Sequence, residues 1–393
     1  MTYNVKMMIK NETEKDNTLA ATIANMMGYK DRNTLYKFLN EPERLCRRFA
    51  GLVEVVKYLF GDIEHQVMSD YAKTLDFSKE AARSMLEYAN LNRLDELQAF
   101  MIDKMSSPKC SDINRDLAKA YQLDIDVQNG KENILDEINT FDSRFEEPKA
   151  FKNILKMYYY YDNQHISILK EHLALSESSI TNIKVTSKSD VYIKNSYADR
   201  LSLAMMEVYT SNGEFKQCRR LAVEMIERNP SDNMKIVSFL QLGNSYITDD
   251  YKKAMDSFQK GLDLVISSNG NSYYETEIKR SINYLNVCWN KRVLFITDAG
   301  SISDIHNTIH NFLNKGDAKK AEKLLVEIKF DSLSILDKGY HKYYESIILD
   351  KKDSLYESAL YFKSAGKKNL CQLPLSRLKY LGDSEAQLKL YVS

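Results

Sequence analysis

The sequence predicts an all-α protein: an N-terminal helix-turn-helix followed by a TPR-like α-solenoid. Three observations predict it. Turn formers are scarce, with 13 Gly and 5 Pro in 393 residues, which leaves too few for an all-β chain. Leu, Lys, Glu, Ala, Met and Ser are abundant, and most of these favour helices. Small and aromatic residues recur at the spacing of helical hairpins about 34 residues long. Hydrophobic residues make up 44%, enough for a packed core.

The first elements lie in residues 1–60. In NTLAATIANMMG (17–28), Leu19, Ile23 and Met26/Met27 fall at helical spacing. Asp16 or Asn17 serves as N-cap. Gly28 stops the helix because it accepts positive φ without a Cβ clash. After the turn YKD, a second helix starts near Arg32 and Pro42 ends it. Leu35, Phe38 and Leu39 form its inner stripe, leaving Arg32, Asn33, Tyr36 and Lys37 outside. Helix, glycine turn, helix is the helix-turn-helix order, although two TPR helices share the pattern.

If the pair binds DNA, the second helix enters the major groove. Arg32 suits guanine, Asn33 suits adenine, and Lys30, Thr34, Tyr36 and Lys37 lie beside them. Arg44, Arg47, Arg48 and Lys57 would hold phosphates. Residues 1–60 carry ten Lys and Arg against seven Asp and Glu, whereas the whole chain is neutral. That describes a small basic patch on a neutral body.

The repeats follow. Residues 236–266 show Leu242-Gly243, Tyr246, Tyr251, Ala254, Phe258 and Gly261 in TPR order, with Gly243 and Ala254 small where two helices cross. Residues 201–230 show Tyr209, Gly213, Phe215, Cys218 and Pro230. Residues 305–328 show Phe312, Gly316 and Ala321, and residues 341–365 show Tyr344, Tyr356, Ala359 and Phe362. Residues 84–104 show Tyr88, Asn92, Leu94 and Met101. The polar stretch 120–145 fits poorly, and TNIKVTSKSDVY (181–192) reads as a longer turn.

Such solenoids hold peptides or helices on a concave face. Asn195, Gln241, Asn244, Asn286 and Asn307 fall on the expected inner helices, where carboxamides can pair with a peptide backbone. Asn244 is notable, because asparagine in mid-helix is mildly unfavourable.

Enzyme chemistry finds no support. No P-loop, H-E-x-x-H or G-x-S-x-G motif occurs. His306 and His310 are spaced for a shared metal, but no third ligand lies nearby, so a polar helix face is expected and neither metal nor cofactor. The run Tyr158–Tyr161 reads as core packing plus a groove wall rather than a base-stacking platform. Five dispersed cysteines with no C-x-x-C argue against disulfides and thiolate zinc. The N-terminus lacks a signal-peptide h-region, and no window reaches 18 uninterrupted apolar residues, so no membrane association is expected.

Several blocks are more specific than a generic repeat: LYKFLN (35–40), AARSMLEYANLNRLDELQAFMIDKM (81–105), YIKNSY (192–197), SFLQLGNSYI (238–247), YFKSAGKKNLCQLPL (361–375) and a leucine-bearing C-terminal helix. In these blocks the chain resembles the arbitrium receptors, the AimR family of temperate phages. The resemblance implies a cytoplasmic transcription regulator in the infected or lysogenic host. Such a regulator binds double-stranded operator DNA as a homodimer and is switched by a signalling peptide of about six residues to control lysis against lysogeny. It further implies three regions: 1–60 for DNA, 61–380 for peptide, and 381–393 as a capping and dimerisation helix with Leu388, Leu390 and Tyr391.

In the implied peptide groove, Asn244 keeps the family's asparagine, and Gln241, His306, Asp337 and Asn369 align with contact positions. Glu207 and Ser211 replace asparagines, Asn233 replaces an arginine, and Lys367 replaces an aspartate. These exchanges point to a differently charged or differently placed peptide. The alternative is a TPR quorum sensor acting on a protein partner, with the N-terminal helices as docking surface. A pure scaffold without a peptide ligand is a third reading.

Overall fold

The computed structural model describes residues 3–16, 18–41, 44, 46, 48–163, 166–185, 191–228, 231–268, 272–296 and 300–392. All regular elements among them are helices. The chain forms two compact units: residues 1–160 with 171–201, and residues 161–170 with 202–393.

The first unit opens with α1 (Val5–Lys15), a helix that the sequence reading missed. Asn4 caps it by accepting from the Met7 N–H at 3.1 Å, and Val5, Ile9 and Thr13 form its buried stripe. Next come α2 (Leu19–Met26) and α3 (Arg32–Asn40), the expected pair. Asp16 accepts from the amide and hydroxyl of Thr18 before α2; Asn17 and Pro42 lie outside the described residues. Gly28 in the connecting turn has φ +66°, the left-handed conformation expected of it. α1 packs on both helices, and the Lys6 ammonium lies 4.7 Å from the Phe38 ring while donating to the carbonyl of Glu41. The pair is therefore part of a three-helix cluster.

The unit continues through α4 (Phe49–Phe60), α5 (Glu64–Ala72), α6 (Glu80–Leu91), α7 (Asp95–Met105), α8 (Asp112–Gln128), α9 (Ile134–Thr140), α10 (Glu146–Asp162) and α11 (Ile166–Asn182), except that the end of α10 and the start of α11, within 161–170, fall in the second unit. The hairpin α6–α7 is the predicted repeat near 84–104. The poorly matching stretch 120–145 holds the end of α8 and the seven-residue α9, whose N-cap Asn133 is left-handed at φ +58°.

α12 (Tyr192–Ser211) contributes its first half to this unit. There, two of the resemblance motifs meet. Glu87, from AARSMLEYA, is fully buried and accepts from Arg200 Nε at 2.9 Å and Nη2 at 3.0 Å, and also from Ser196 and Tyr121. Arg200 also donates to Tyr158 at 3.0 Å and to Asn90. Phe151 stacks on Tyr121 with centroids 4.0 Å apart. Aromatic contacts extend this cluster, since Phe49 of α4 lies 4.9 Å from Tyr192 and 6.3 Å from Tyr88.

The second unit contains the rest of α12, then α13 (Phe215–Arg228), α14 (Asp232–Tyr246), α15 (Tyr251–Ser267), α16 (Ser272–Cys288), α17 (Ile302–Asn314), α18 (Ala318–Glu327), α19 (Ile335–Ile348), α20 (Lys352–Ser364), α21 (Gln372–Tyr380) and α22 (Glu385–Val392). Its packing follows chain order: α13 on α14, α14 on α15, α15 on α16, α17 on α18, α19 on α20. Nearest-neighbour packing of this kind defines a solenoid. The repeats expected at 201–230, 236–266, 305–328 and 341–365 are hairpins α12–α13, α14–α15, α17–α18 and α19–α20; Pro230 lies outside the described residues.

Hairpin α14–α15 explains Gly243: a Cβ there would overlap the Phe258 ring. α19–α20 repeats the device, with Phe362 2.6 Å from where a Cβ on Gly339 would stand. One core joins Ile236, Leu240, Phe258, Ile278 and Leu285. A second joins Ile309, Leu325, Tyr344, Phe362, Leu378 and Leu388. All five cysteines are free, and no described helix is long and apolar enough to cross a membrane.

Candidate functional site

The expected DNA face lies on α3. Asp31 caps this helix by accepting from the Thr34 amide at 2.8 Å and its hydroxyl at 2.9 Å. The Thr34 amide and hydroxyl hold the Asp31 carboxyl below its ordinary range. Lys30, Arg32, Asn33 and Lys37 are exposed, whereas Thr34 and Tyr36 are half-buried. With both donors on Asp31, Thr34 acts as a capping residue. Arg48 is exposed just before α4, Arg44 pairs with Glu41 at 2.9 Å, and Arg47 lies outside the described residues.

In the second unit, four expected groove residues come together. Lys367, in the turn after α20, approaches Glu207 of α12 at 3.0 Å across 160 residues of sequence. Gln241 of α14 donates to the other Glu207 oxygen at 2.5 Å, and Ser211 lies 3.4 Å from the first. Tyr161, the last of the tyrosine run, places its ring 5.9 Å from the Lys367 ammonium. No periodicity or spacing pointed to the contact with Lys367. Tyr158 is instead part of the Arg200 network.

Gln241 Oε1, in this cluster, is buried with no hydrogen-bond partner among the described residues, and so are Asn286 Nδ2 and Asn369 Oδ1 elsewhere in the unit. Asn286 uses its oxygen to accept from Tyr251 at 3.0 Å. Asn244, one turn beyond Gln241, is half-buried, and its side chain forms no hydrogen bond to the described residues. Buried polar groups are nearly always paired, so the unpartnered Gln241 Oε1 beside the Glu207–Lys367 pair is an unused acceptor.

Other expected residues fall elsewhere. Asn195 belongs to the first unit and is exposed. Asn233 is half-buried in the first turn of α14. Asp337 is committed to the start of α19, where it and Ser334 cap each other.

The polar face expected for His306 and His310 is overturned: both are buried. His306 packs against Tyr340, Tyr344 and His341, and burial, aided by the neighbouring His341, pushes it down to about 3. His310 Nε2 lies 3.1 Å from the Lys291 carbonyl oxygen. Aromatic neighbours at helical spacing make this an apolar stripe that accommodates imidazole. No group of three metal-ligating side chains occurs among the described residues.

At the C-terminus, Leu388 points into the unit's own core, and the Tyr391 ring lies 5.2 Å from that of Tyr356, tilted by 31°. Leu390 remains exposed, close in sequence to exposed Tyr380 and Leu381. A concavity of about 270 Å³ near Lys342, Glu345 and Lys352 contains none of the expected groove residues.

A small N-terminal helical cluster and a unit of stacked helical hairpins define an all-helical, TPR-like protein. The family model of AimR transcriptional regulator-like proteins matches residues 64–380, and the chain belongs to that family. It is 27% identical to the AimR transcriptional regulator of Bacillus phage SPbeta, over 98% of each chain. It is also 27% identical to that of Bacillus phage phi3T, over 95% of this chain and 97% of the relative. The solved structure of phAimR in selenomethionine form superposes with TM-score 0.78 at 27% identity, covering 99% of this chain and all of the other. A structure of phAimR with its ligand gives TM-score 0.71 at 24% identity, covering 84% of this chain and 97% of the other. Relatives named as transcriptional regulators place the chain in a non-enzymatic family.

Proposed function

We propose that this chain is a peptide-responsive transcriptional regulator. It binds operator DNA as a homodimer in the host cytoplasm, and a short phage-encoded peptide switches it to control lysis against lysogeny. Residues 1–60 act on DNA, 61–380 take the peptide, and 381–393 contribute Leu390 to the dimer. The observation that carries this reading is the convergence of Glu207, Ser211, Gln241 and Lys367, with the buried Gln241 Oε1 left without a partner. The structure of phAimR with a ligand supports it, since the fold is shared. Exposed Arg32, Asn33 and Lys37 on a capped helix support the DNA role.

Coupling requires that the peptide prefer one shape of the receptor over another, since a ligand shifts an equilibrium only by its differential affinity. Spacing of the two half-sites is a geometric demand, so a modest change in shape suffices to release DNA.

The test is a fluorescence-anisotropy titration against DNA flanking the protein's own gene. It is run at two salt concentrations, with and without the hexapeptide encoded by the adjacent small reading frame. Tight, salt-sensitive binding that peptide weakens and that Arg32→Ala, Asn33→Ala and Lys37→Ala reduce is expected. Binding no stronger than to random sequence would overturn the DNA role and favour a protein partner.

A further inference from the structure

The Glu207–Lys367 pair is neither a solvated bridge nor a sealed one. The glutamate side chain is 13% exposed and the lysine 25%. Glu207 draws an amide proton from Gln241, and that commitment turns the Gln241 NH₂ toward the carboxylate. Gln241 Oε1 is then buried without a donor, on a residue only 5% exposed. The cluster thus lacks one N–H. Lys367 carries three N–H donors, and its side chain reaches Glu207 and the Tyr161 ring. The cluster can therefore also donate a hydrogen bond to an anion.

We propose that this pair is the charge filter of the ligand site. The peptide it accepts brings both a cationic N–H group and a carboxylate. The cation donates to Glu207 and to Gln241 Oε1, and the carboxylate accepts from Lys367. This rests on the reading of the chain as a peptide receptor. The electrostatics demand both charges together. A ligand that brings only a cation displaces Lys367 and leaves its ammonium unpaired in a half-buried place. One that brings only an anion does the same to Glu207. A charge left there without its partner loses the pair's attraction and gains nothing in return, so each half-ligand binds more weakly than a ligand that brings both charges. An uncharged peptide leaves the pair closed and Gln241 Oε1 without its donor. Specificity of this kind comes as much from the penalty on wrong ligands as from contacts with the right one.

The experiment uses end-blocked hexapeptide pools with randomised uncharged positions. They carry one Arg, one Asp, both, or neither, and are compared by affinity selection on the full chain. A fifth pool holds one Asp and an unblocked amino terminus, which separates a basic side chain from a terminal ammonium as the cation. The wild type should retain the doubly charged pools by at least about tenfold over the others. Glu207→Gln should lose the preference for the cation, and Lys367→Met the preference for Asp. The exchange Glu207→Lys with Lys367→Glu keeps the ion pair, so it should stay folded and still select doubly charged peptides. Equal binding of charged and uncharged pools by the wild type, or unchanged preferences in the single variants, overturns the proposal alone. If no pool binds the wild type, the peptide-receptor reading falls and takes this proposal with it.

Discussion

Glu87 and Glu207 each meet a cation from far along the chain, yet their surroundings differ. Glu87 accepts from two Arg200 nitrogens, Ser196 and Tyr121, which fills the four acceptor positions of a carboxylate. Its partner Arg200 is held in turn by Tyr158 and Asn90. Glu207 has one lysine, one amide and a distant hydroxyl, and the amide itself is left with an unpaired oxygen. A saturated buried network specifies a packing arrangement. An unsaturated one, partly open to solvent, is suited to receive a ligand. The difference between the two acidic centres lies less in charge than in how completely each charge is satisfied.

The largest test of this contrast is Glu87→Gln. It leaves the Arg200 guanidinium buried without its counter-charge, and breaking a buried pair in this way costs about 3–5 kcal/mol. Loss of hydrogen-exchange protection in α6, α8 and the first half of α12 is the expected readout. If protection stays within the range of surface variants, Glu87 is not the keystone of its unit.

Acid should separate the units next. Burial, with His341 close by, lowers His306 from 6.5 to about 3, so its neutral form is the one that fits the fold. A folded-state value below the unfolded one means the stability it lends is fully present above about 6.5 and is lost as pH falls toward 3. His310 and His341 are also lowered, chiefly by burial. Asp124 in the first unit shifts the other way: burial raises its value, so its contribution is present below 3.8 and is lost as pH rises through the folded value. Hydrogen exchange followed from neutral to acid pH should open α17 and α19 before α6 and α8. His306→Phe should blunt the effect; an unchanged acid profile in that variant would remove His306 as its cause.

A smaller effect, about 1–3 kcal/mol, is expected for Gly243→Ala, whose new methyl would meet the Phe258 ring. Urea denaturation measures it. Adding Phe258→Leu should recover part of the loss if the clash is the reason. Gly339 against Phe362 offers the same experiment in α19–α20.

What could be read beforehand follows the physics of each feature. Hairpins were legible, because a crossing that demands Gly243 and an aromatic wall at Phe258 repeats with a period. Gly28 was legible because its positive φ is a local matter. α1 was missed because its stripe of Val5, Ile9 and Thr13 includes a threonine and its other faces are polar. The histidines were misjudged because spacing cannot distinguish an exposed polar face from a stripe packed on Tyr340 and Tyr344. The Glu87 network was invisible, since Ser196 and Arg200 lie 109 and 113 residues away and each charged residue alone resembles a solvated one. A sequence-level hint existed in α6, where Ser84 through Asn90 is buried all round the helix, an arrangement that obliges Glu87 to find partners. The Glu207–Lys367 contact was equally non-local. The resemblance named both residues, but only the structure pairs them with each other.

The smallest change in stability is expected for Lys367→Met, and there the comparison can be lost. The lysine side chain is a quarter exposed, and Glu207 keeps its contacts with Gln241 and Ser211 after the substitution. Methionine preserves most of the apolar stem beside Tyr161. Ion pairs open to water contribute at most about 1 kcal/mol, so the thermal midpoint should barely move while peptide selection changes. If Lys367→Met unfolds the second unit as readily as Glu87→Gln unfolds the first, the two acidic centres are of one kind. Glu207 would then belong to the scaffold, and the leftover amide of Gln241 would be the residue of packing rather than the mark of a ligand site.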